Sequence, residues 1–441
     1  MIRDNVQYVP AGLEAWPGRT GQIFVKLERN EVTSIHKGMG YKVVRLPDRT
    51  LHIVYESSKQ HRLIDEQLDC DYMVPYQNPV ELRNRVKLVL VNPIHAGRGF
   101  SNVFRPHGVQ VISDSGGFQM LRGTSSFVHP DMPVEFYNKH TDIGMPLDLP
   151  MRTAYEPLFF DAATRMMKAN DEYMIPRLNK NVVLAVVSHG SSLESRKRRL
   201  DAIYRPTPVV AIAGLNSLTV DDFSRQLTAL SNAMYVISQV RNDTEYFHFL
   251  GVTSRFWLIV YAMLVGTGYV RSCGGDSVSH RMGAITGMYK SQFPYKSAGN
   301  TPLKIEKFSH KSVNTSCTCG VCQAVGDLNV LADFQICESH QIWYSELEKD
   351  LICDTVQSYL DGKLTLKQLA EQWLSKGQYK QLQLAIDYIE QVVAKGFFPL
   401  RPKRESLFED IKDDKVDETV KQHYISILTS YEKFHKKKFL R

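Results

Sequence analysis

Cys317, Cys319 and Cys322 stand in a Cys-x-Cys-x2-Cys run, with Gly320 free to bend the backbone between them. Three thiolates on one tight turn are a metal-binding arrangement, because a structural zinc takes four tetrahedral ligands and this spacing supplies three from one loop. The fourth is expected from a following helix: His340, in Ser339-His340-Gln341-Ile342-Trp343, is the first choice, Cys337 the second and His310 the third. With all four ligands from protein, such a zinc has no open position for a substrate and is structural. The total of seven cysteines is odd and most of the others are scattered, which fits a metal site in a reducing compartment better than a disulfide framework.

Carboxylates carry the second kind of chemistry. Val111-Ile112-Ser113-Asp114-Ser115-Gly116-Gly117-Phe118 sets an acid where a strand would end, followed by two glycines that let the backbone close on a flat ligand. Asn92, Asp148, His189, Asn216 and Asp276 take corresponding places at or after other apolar runs. Singly, each reads as a turn residue or a helix N-cap. Their shared position is what argues for one site.

The elements that must position them are short apolar runs over 86–91, 109–113, 143–147, 182–187, 209–213, 247–250 and 269–271. Near-continuous apolarity marks parallel strands buried on both faces, and intervening stretches such as 218–238 and 256–268 are long enough for crossover helices. With an eighth strand expected in the first 80 residues, the pattern predicts an α/β chain folded as a (β/α)8 TIM barrel, whose strand ends share one mouth. An open doubly wound sheet is the rival. The expected division is a catalytic barrel with a divergent N-terminal region over 1–300, a zinc-binding subdomain over 301–345 and a C-terminal helical extension over 346–441. In that extension Leu366, Leu369, Ala370, Trp373 and Leu374 mark one apolar helix face, and Leu382, Ala385, Ile386 and Ile389 another; a last helix is expected over 415–434.

Of the 441 residues, 43% are apolar and 23% charged, which excludes a disordered chain or a fibrous repeat. No apolar run is long enough to span a membrane and the first residues lead into no signal-peptide stretch, so a cytoplasmic protein is expected. A net charge of +7 permits a polyanionic partner. Arg196-Lys197-Arg198-Arg199, Lys304, Lys307 and Lys311 are the candidate phosphate-binding residues, with Arg281 a further one; otherwise such runs are solvated faces.

The Asp-Ser-Gly-Gly stretch, followed by Cys-x-Cys-x2-Cys and a histidine, resembles the tRNA-guanine transglycosylase superfamily over roughly residues 85–350. The resemblance implies a (β/α)8 barrel with an inserted zinc subdomain that exchanges guanine for a 7-deazaguanine base. It makes Asp114 the general acid/base and Phe118 the aromatic that stacks on the base. Asp148 becomes the acid reading the purine's amino and ring N–H groups. Gly214, in Ala211-Ile212-Ala213-Gly214-Leu215, supplies backbone contact, Leu250 covers the base's other face, and Asp276 is the nucleophile.

Departures from that pattern are specific. His189-Gly190 stands where the family has Gln-Gly, which alters recognition of the base's carbonyl edge; Ala213 replaces a glycine, and His280-Arg281-Met282 replaces Pro-Thr-Arg. Residues 1–80 and the last hundred match poorly. Kept chemistry with altered polymer-facing segments is more similar to the superfamily's DNA-acting branch, which inserts 7-cyano-7-deazaguanine (preQ0). A tRNA-acting enzyme is the nearest alternative, and a non-catalytic, nucleic-acid-binding partner subunit that keeps the barrel and zinc is another. The resemblance brings with it DNA as partner, a deazaguanine such as preQ0 as substrate, a homodimer as in the tRNA relatives, and an ATPase helper to meet the cost of flipping a paired base.

Overall fold

The computed structural model describes residues 2–11, 86–94, 108–121, 127–151, 153–215, 223–279, 334–400 and 416–440, with short strand segments at 24–26, 41–45, 51–55, 61–63, 71–73, 288–291 and 304–307. The apolar runs fold as β1 (Val6–Pro10), β2 (Leu88–Val91), β3 (Gln110–Ser113), β4 (Ile143–Gly144), β5 (Val183–Leu184), β6 (Val186–Ser188), β7 (Val209–Ile212), β8 (Tyr246–Phe249) and β9 (Ser272–Ser277). They make two all-parallel sheets, one ordered β1-β9-β8-β7-β6 and the other β5-β4-β3-β2. Ala185 alone separates β5 from β6, and Ala11, just past β1, bridges Leu90 of β2 in the parallel sense. The parallel strand expected within the first 80 residues is β1, paired with β9 from Val6↔Cys273 to Pro10↔Ser277.

One strand begins later than its apolar run. The amides of Tyr269 and Val270 both bond the carbonyl of Leu264, closing the end of the preceding helix, so pairing starts only at Ser272. Within β9, Gly274 and Gly275 permit a backbone approach that no side chain would: a Cβ on Gly274 would lie 2.3 Å from the Gln7 carbonyl oxygen, and one on Gly275 2.2 Å from that of Val252. This tight seating fixes where Asp276 emerges.

Between the strands run α1 (Gly117–Leu121), α2 (Asp131–His140), α3 (Glu156–Met174), α4 (Leu193–Ile203), α5 (Phe223–Val240) and α6 (Arg255–Gly266). Ser192 caps α4 and Ser254 caps α6, each accepting a backbone N–H three residues on. From Phe256 to Leu264 every residue of α6 is buried, as befits a helix enclosed on all sides.

The C-terminal helices are α7 (Phe334–Leu360), α8 (Leu366–Trp373), α9 (Tyr379–Lys395) and α10 (Glu418–His435). α7 crosses residue 345 unbroken, so the expected line between zinc-binding and helical regions is not a break in the chain. Leu369, Trp373, Leu382 and Ile386 share one apolar core with β6 to β9, each such side chain contributing roughly 1.5–3 kcal/mol by leaving water. Tyr424 and Tyr431 of α10 enter a second core with Leu147 and Leu149, and their hydroxyls donate to the carbonyls of Pro150 and Val128 at 2.8 and 2.9 Å. No helix among the described residues is long and apolar enough to cross a membrane.

Replacing Gly274 with alanine should destabilise the protein by roughly 1–3 kcal/mol, because the Gln7 backbone cannot yield as a side chain would. Gly377→Ala, exposed between α8 and α9 with no heavy atom within 4 Å of the new carbon, should stay within about 0.5 kcal/mol. Urea denaturation of the two variants makes the comparison; equal midpoints would refute the close-approach argument.

Candidate active site

Asp114 directly follows β3, and its amide bonds the Val91 carbonyl of β2 at 2.8 Å. Its carboxylate takes the Ser115 N–H on Oδ1 at 2.8 Å and the Asn92 amide on Oδ2 at 3.3 Å. Asn92 is itself aimed by the Ile94 N–H on its Oδ1. Gly116, at φ +84°, turns the chain, and Gly117 brings it so close to the Asp148 segment that a Cβ there would sit 2.3 Å from the Asp148 carbonyl oxygen. The two glycines thus bring Asp114 and Asp148 to one place.

Asp148 is buried, and both its oxygens are held. Ser115 Oγ donates to Oδ1 at 2.7 Å, and His189 Nε2 lies 2.5 Å from Oδ2. Burial pushes this carboxyl up, but the His189 hydrogen bond and charge, the Ser115 hydroxyl and the Arg199 guanidinium outweigh it and hold it below the usual carboxylate range. An ionised carboxylate only accepts, so His189 Nε2 carries the proton. His189 Nδ1 is buried with no hydrogen-bond partner among the described residues. Gly214, at φ +71°, faces that nitrogen, which a Cβ there would approach to 3.8 Å.

Asp114 behaves in the opposite way. Burial first, then the charge of Asp148 and more weakly that of Asp276, push its carboxyl up to about 7 against the lowering pull of the Ser115 and Gly116 amides. The carboxyls of Asp114, Asp148 and Asp276 therefore share one electrostatic neighbourhood. Asp276, on β9, accepts the Gly251 N–H on Oδ1 at 2.6 Å, and His248 Nε2 stands 3.2 Å from the same oxygen. Leu250, half-buried beside Gly251, is fixed by its N–H on the Ile212 carbonyl at 3.1 Å. Phe118 lies in α1, but its side chain falls outside the described residues.

The basic run on α4 needs correction. Arg196 and Arg199 are fully buried, which removes them from any polymer-binding surface. Arg196, with Arg199, Leu200 and Ile203, falls on the inward face at i, i+3, i+4 and i+7. Arg196 donates to the carbonyls of Ser188 and Ala213 at 3.2 and 2.9 Å; the Arg199 guanidinium lies over the Phe160 ring at 4.8 Å. Burial lowers both to about 10, so both stay charged at neutral pH. Lys197 and Arg198 are exposed but already paired, with Asp201 and Asp161.

Cys317, Cys319, Cys322, Arg281 and Lys311 lie outside the described residues, and of Lys304 and Lys307 only the strand backbone is described, paired antiparallel with 288–291. His340 is fully buried on α7, its ring 4.7 Å from that of Tyr344. Among the described residues no group of three or more His, Cys, Asp or Glu could hold a metal. Sequence reasoning passed over Ser115, Gly251, His248 and Tyr246. The last two were visible as polar groups two apart in an otherwise apolar strand, which puts them on one face. Compared with known proteins, the chain matches no protein-family model and no curated protein.

Asp114 titrates from a folded-state value near 7 against an unfolded value near 3.8, so between these the folded chain keeps a proton the unfolded chain has lost. Its stabilising contribution is full below the unfolded value and is lost as pH rises through about 7; Asp171, also pushed up to about 7 by burial, has the same sign. The urea midpoint should fall between about pH 5 and about pH 8 in the wild type, and by less in Asp114→Asn. An identical fall in both would show that Asp114 is not perturbed.

Proposed function

We propose that this protein is a base-exchange transglycosylase that replaces guanine in DNA with a 7-deazaguanine such as preQ0 through a covalent Asp276-glycosyl intermediate. The observation that carries the reading is the split between neighbouring carboxyls: Asp114 is poised to hold a proton near neutrality while Asp148 beside it stays ionised. The Asp276 carboxylate attacks C1′ of a flipped nucleotide as the N-glycosidic bond breaks through an oxocarbenium-like sugar. The departing guanine keeps the bonding electrons and takes the Asp114 proton. The incoming base then loses its N9 proton to Asp114, attacks C1′ through N9 and releases Asp276, so two displacements restore the starting anomer. Asp148 accepts from the purine's donor edge, Gly214 and Leu250 bound the base, and His189 stands at its carbonyl edge.

The fold belongs to the same proposal. Eight parallel staves, counting β5 and β6 as one, make a (β/α)8 barrel whose mouth is this site. The Ala11–Leu90 bridge between the first and second staves and the β1–β9 pairing between the first and last support closure. A structural zinc on Cys317, Cys319, Cys322 and His340 completes it; its support is the donor set and the placement of His340 near the start of α7.

Incubation with labelled preQ0 and either duplex DNA or tRNA, with and without cell extract, should put label into DNA. Asp276→Ala should abolish both label and a trapped covalent adduct, and Asp114→Asn should slow exchange roughly 10²–10⁴-fold. Label only in tRNA would transfer the chemistry to that polymer; no label and no adduct in either would defeat the transglycosylase reading. Mass spectrometry should find one zinc per chain, and chelation should lower the melting temperature. Reversible inhibition with an unchanged melt would instead indicate a metal-dependent hydrolase.

A further inference from the structure

Asp276 is held by a relay that the exchange chemistry above does not mention. His248 is fully buried on β8, and Tyr246, two residues earlier, leaves the same face of the strand. Phe249 points the other way, its ring 4.6 Å from Tyr261 of α6. On the neighbouring β9, Gly274 pairs with His248 and puts Asp276 two residues on along the same face. Tyr246 Oη lies 3.1 Å from His248 Nδ1, and His248 Nε2 lies 3.2 Å from Asp276 Oδ1, which also accepts the Gly251 N–H at 2.6 Å.

The direction of these bonds follows from their chemistry. A bare Nε2 lone pair facing a carboxylate oxygen would repel it, so Nε2 carries the proton and donates. Nδ1 is then an acceptor, and the buried Tyr246 hydroxyl supplies its donor. Two donors on Oδ1 fix the plane of the carboxylate, while no hydrogen bond among the described residues reaches Oδ2. We infer that His248, locked in its Nε2–H form by Tyr246, is a positioning residue that fastens Oδ1 of Asp276 and leaves Oδ2 as the oxygen that bonds C1′. The inference rests on the reading of Asp276 as the nucleophile. It adds a consequence: in the glycosyl ester Oδ1 is the carbonyl oxygen, and the same two donors favour its return to carboxylate when the sugar leaves.

The test has an arm that does not need turnover. Nitrogen-15 spectra of ring-labelled histidine, with His248 assigned by its loss in His248→Gln, should show His248 neutral and protonated on Nε2. A proton on Nδ1, alone or together with Nε2, overturns the relay. Tyr246→Phe keeps the ring volume and removes the lock, so its His248 signal should move to a mixture of tautomers; an unchanged signal also overturns it. With a guanine-containing oligonucleotide and labelled preQ0, His248→Leu should slow exchange about tenfold to a hundredfold, the cost of a misplaced reacting group. Without an incoming base it should also raise the fraction of protein trapped as adduct about tenfold, because a donor to the carboxylate form is lost. His248→Gln, whose amide reaches the Nε2 position, should recover most of both effects. Equal impairment in His248→Leu and His248→Gln would reduce His248 to packing and sink the inference. Wild-type protein that forms no adduct sinks the nucleophile reading, whereas adduct in wild type with an unaltered His248→Leu sinks the relay alone.

Discussion

A buried carboxylate that stays ionised sets the terms for the groups around it. Asp148 keeps its charge out of water because His189 and Ser115 donate to its two oxygens and a buried guanidinium stands behind it. That fixed negative charge, with burial, forces the next carboxyl to differ: Asp114 cannot easily lose its proton in the field of Asp148 and Asp276. Two acids of ordinary type in one place thereby take two protonation states, which acid–base work near neutrality requires. The asymmetry comes from partners, since Asp114 has two backbone amides and an asparagine where Asp148 has a histidine and a hydroxyl.

The surrounding structure serves to keep these groups at their separations. Adjacent glycines do this twice, Gly116-Gly117 pulling the Asp114 turn onto the Asp148 segment and Gly274-Gly275 seating β9 against β1 and the turn after β8. Arg196 works from behind: its guanidinium clamps the carbonyls of Ser188 and Ala213, the residues immediately before His189 and Gly214. On the opposite flank α10 closes over the 147–150 segment, and Asn170 holds the Leu147 carbonyl while His435 holds Asn170. α10 is thus part of the support of Asp148, while α8 and α9 share the core of β6 to β9.

Much of this was legible in the sequence because the strands are buried on both faces. Continuous apolar runs with polar residues at their ends mark both the strand and the end at which chemistry can collect, and Asn92, Asp114, Asp148, His189 and Asp276 were found this way, whereas Gly214 was reached only through the family resemblance. What failed were inferences from linear order where the chain obeys helical order. Arg196-Lys197-Arg198-Arg199 looks like one basic patch when read in a line, yet at about 100° per residue its first and last members face inward and its middle pair outward. Tyr269-Val270-Arg271 looks like a strand until the Leu264 carbonyl claims two of its amides. β1 escaped precise placement because five residues ending in proline carry too little pattern to distinguish a strand from a turn.

The two histidine–aspartate pairs show how similar parts acquire different uses. In each, a buried imidazole meets a carboxylate through Nε2, which fixes the ring's proton and leaves Nδ1 to be satisfied elsewhere. Tyr246 satisfies it in His248, so that pair is saturated and can act only on the carboxylate it holds. In His189 the same nitrogen has no partner among the described residues, and a buried polar atom left unpaired costs roughly 1–3 kcal/mol. A water or ligand group that hydrogen-bonds there recovers that cost, so the His189 pair favours an occupant while the His248 pair has no stake in one. Recognition and positioning can then be separated within one site although both rest on an imidazole and a carboxylate, because the hydroxyl of Tyr246 closes one pair and nothing described closes the other.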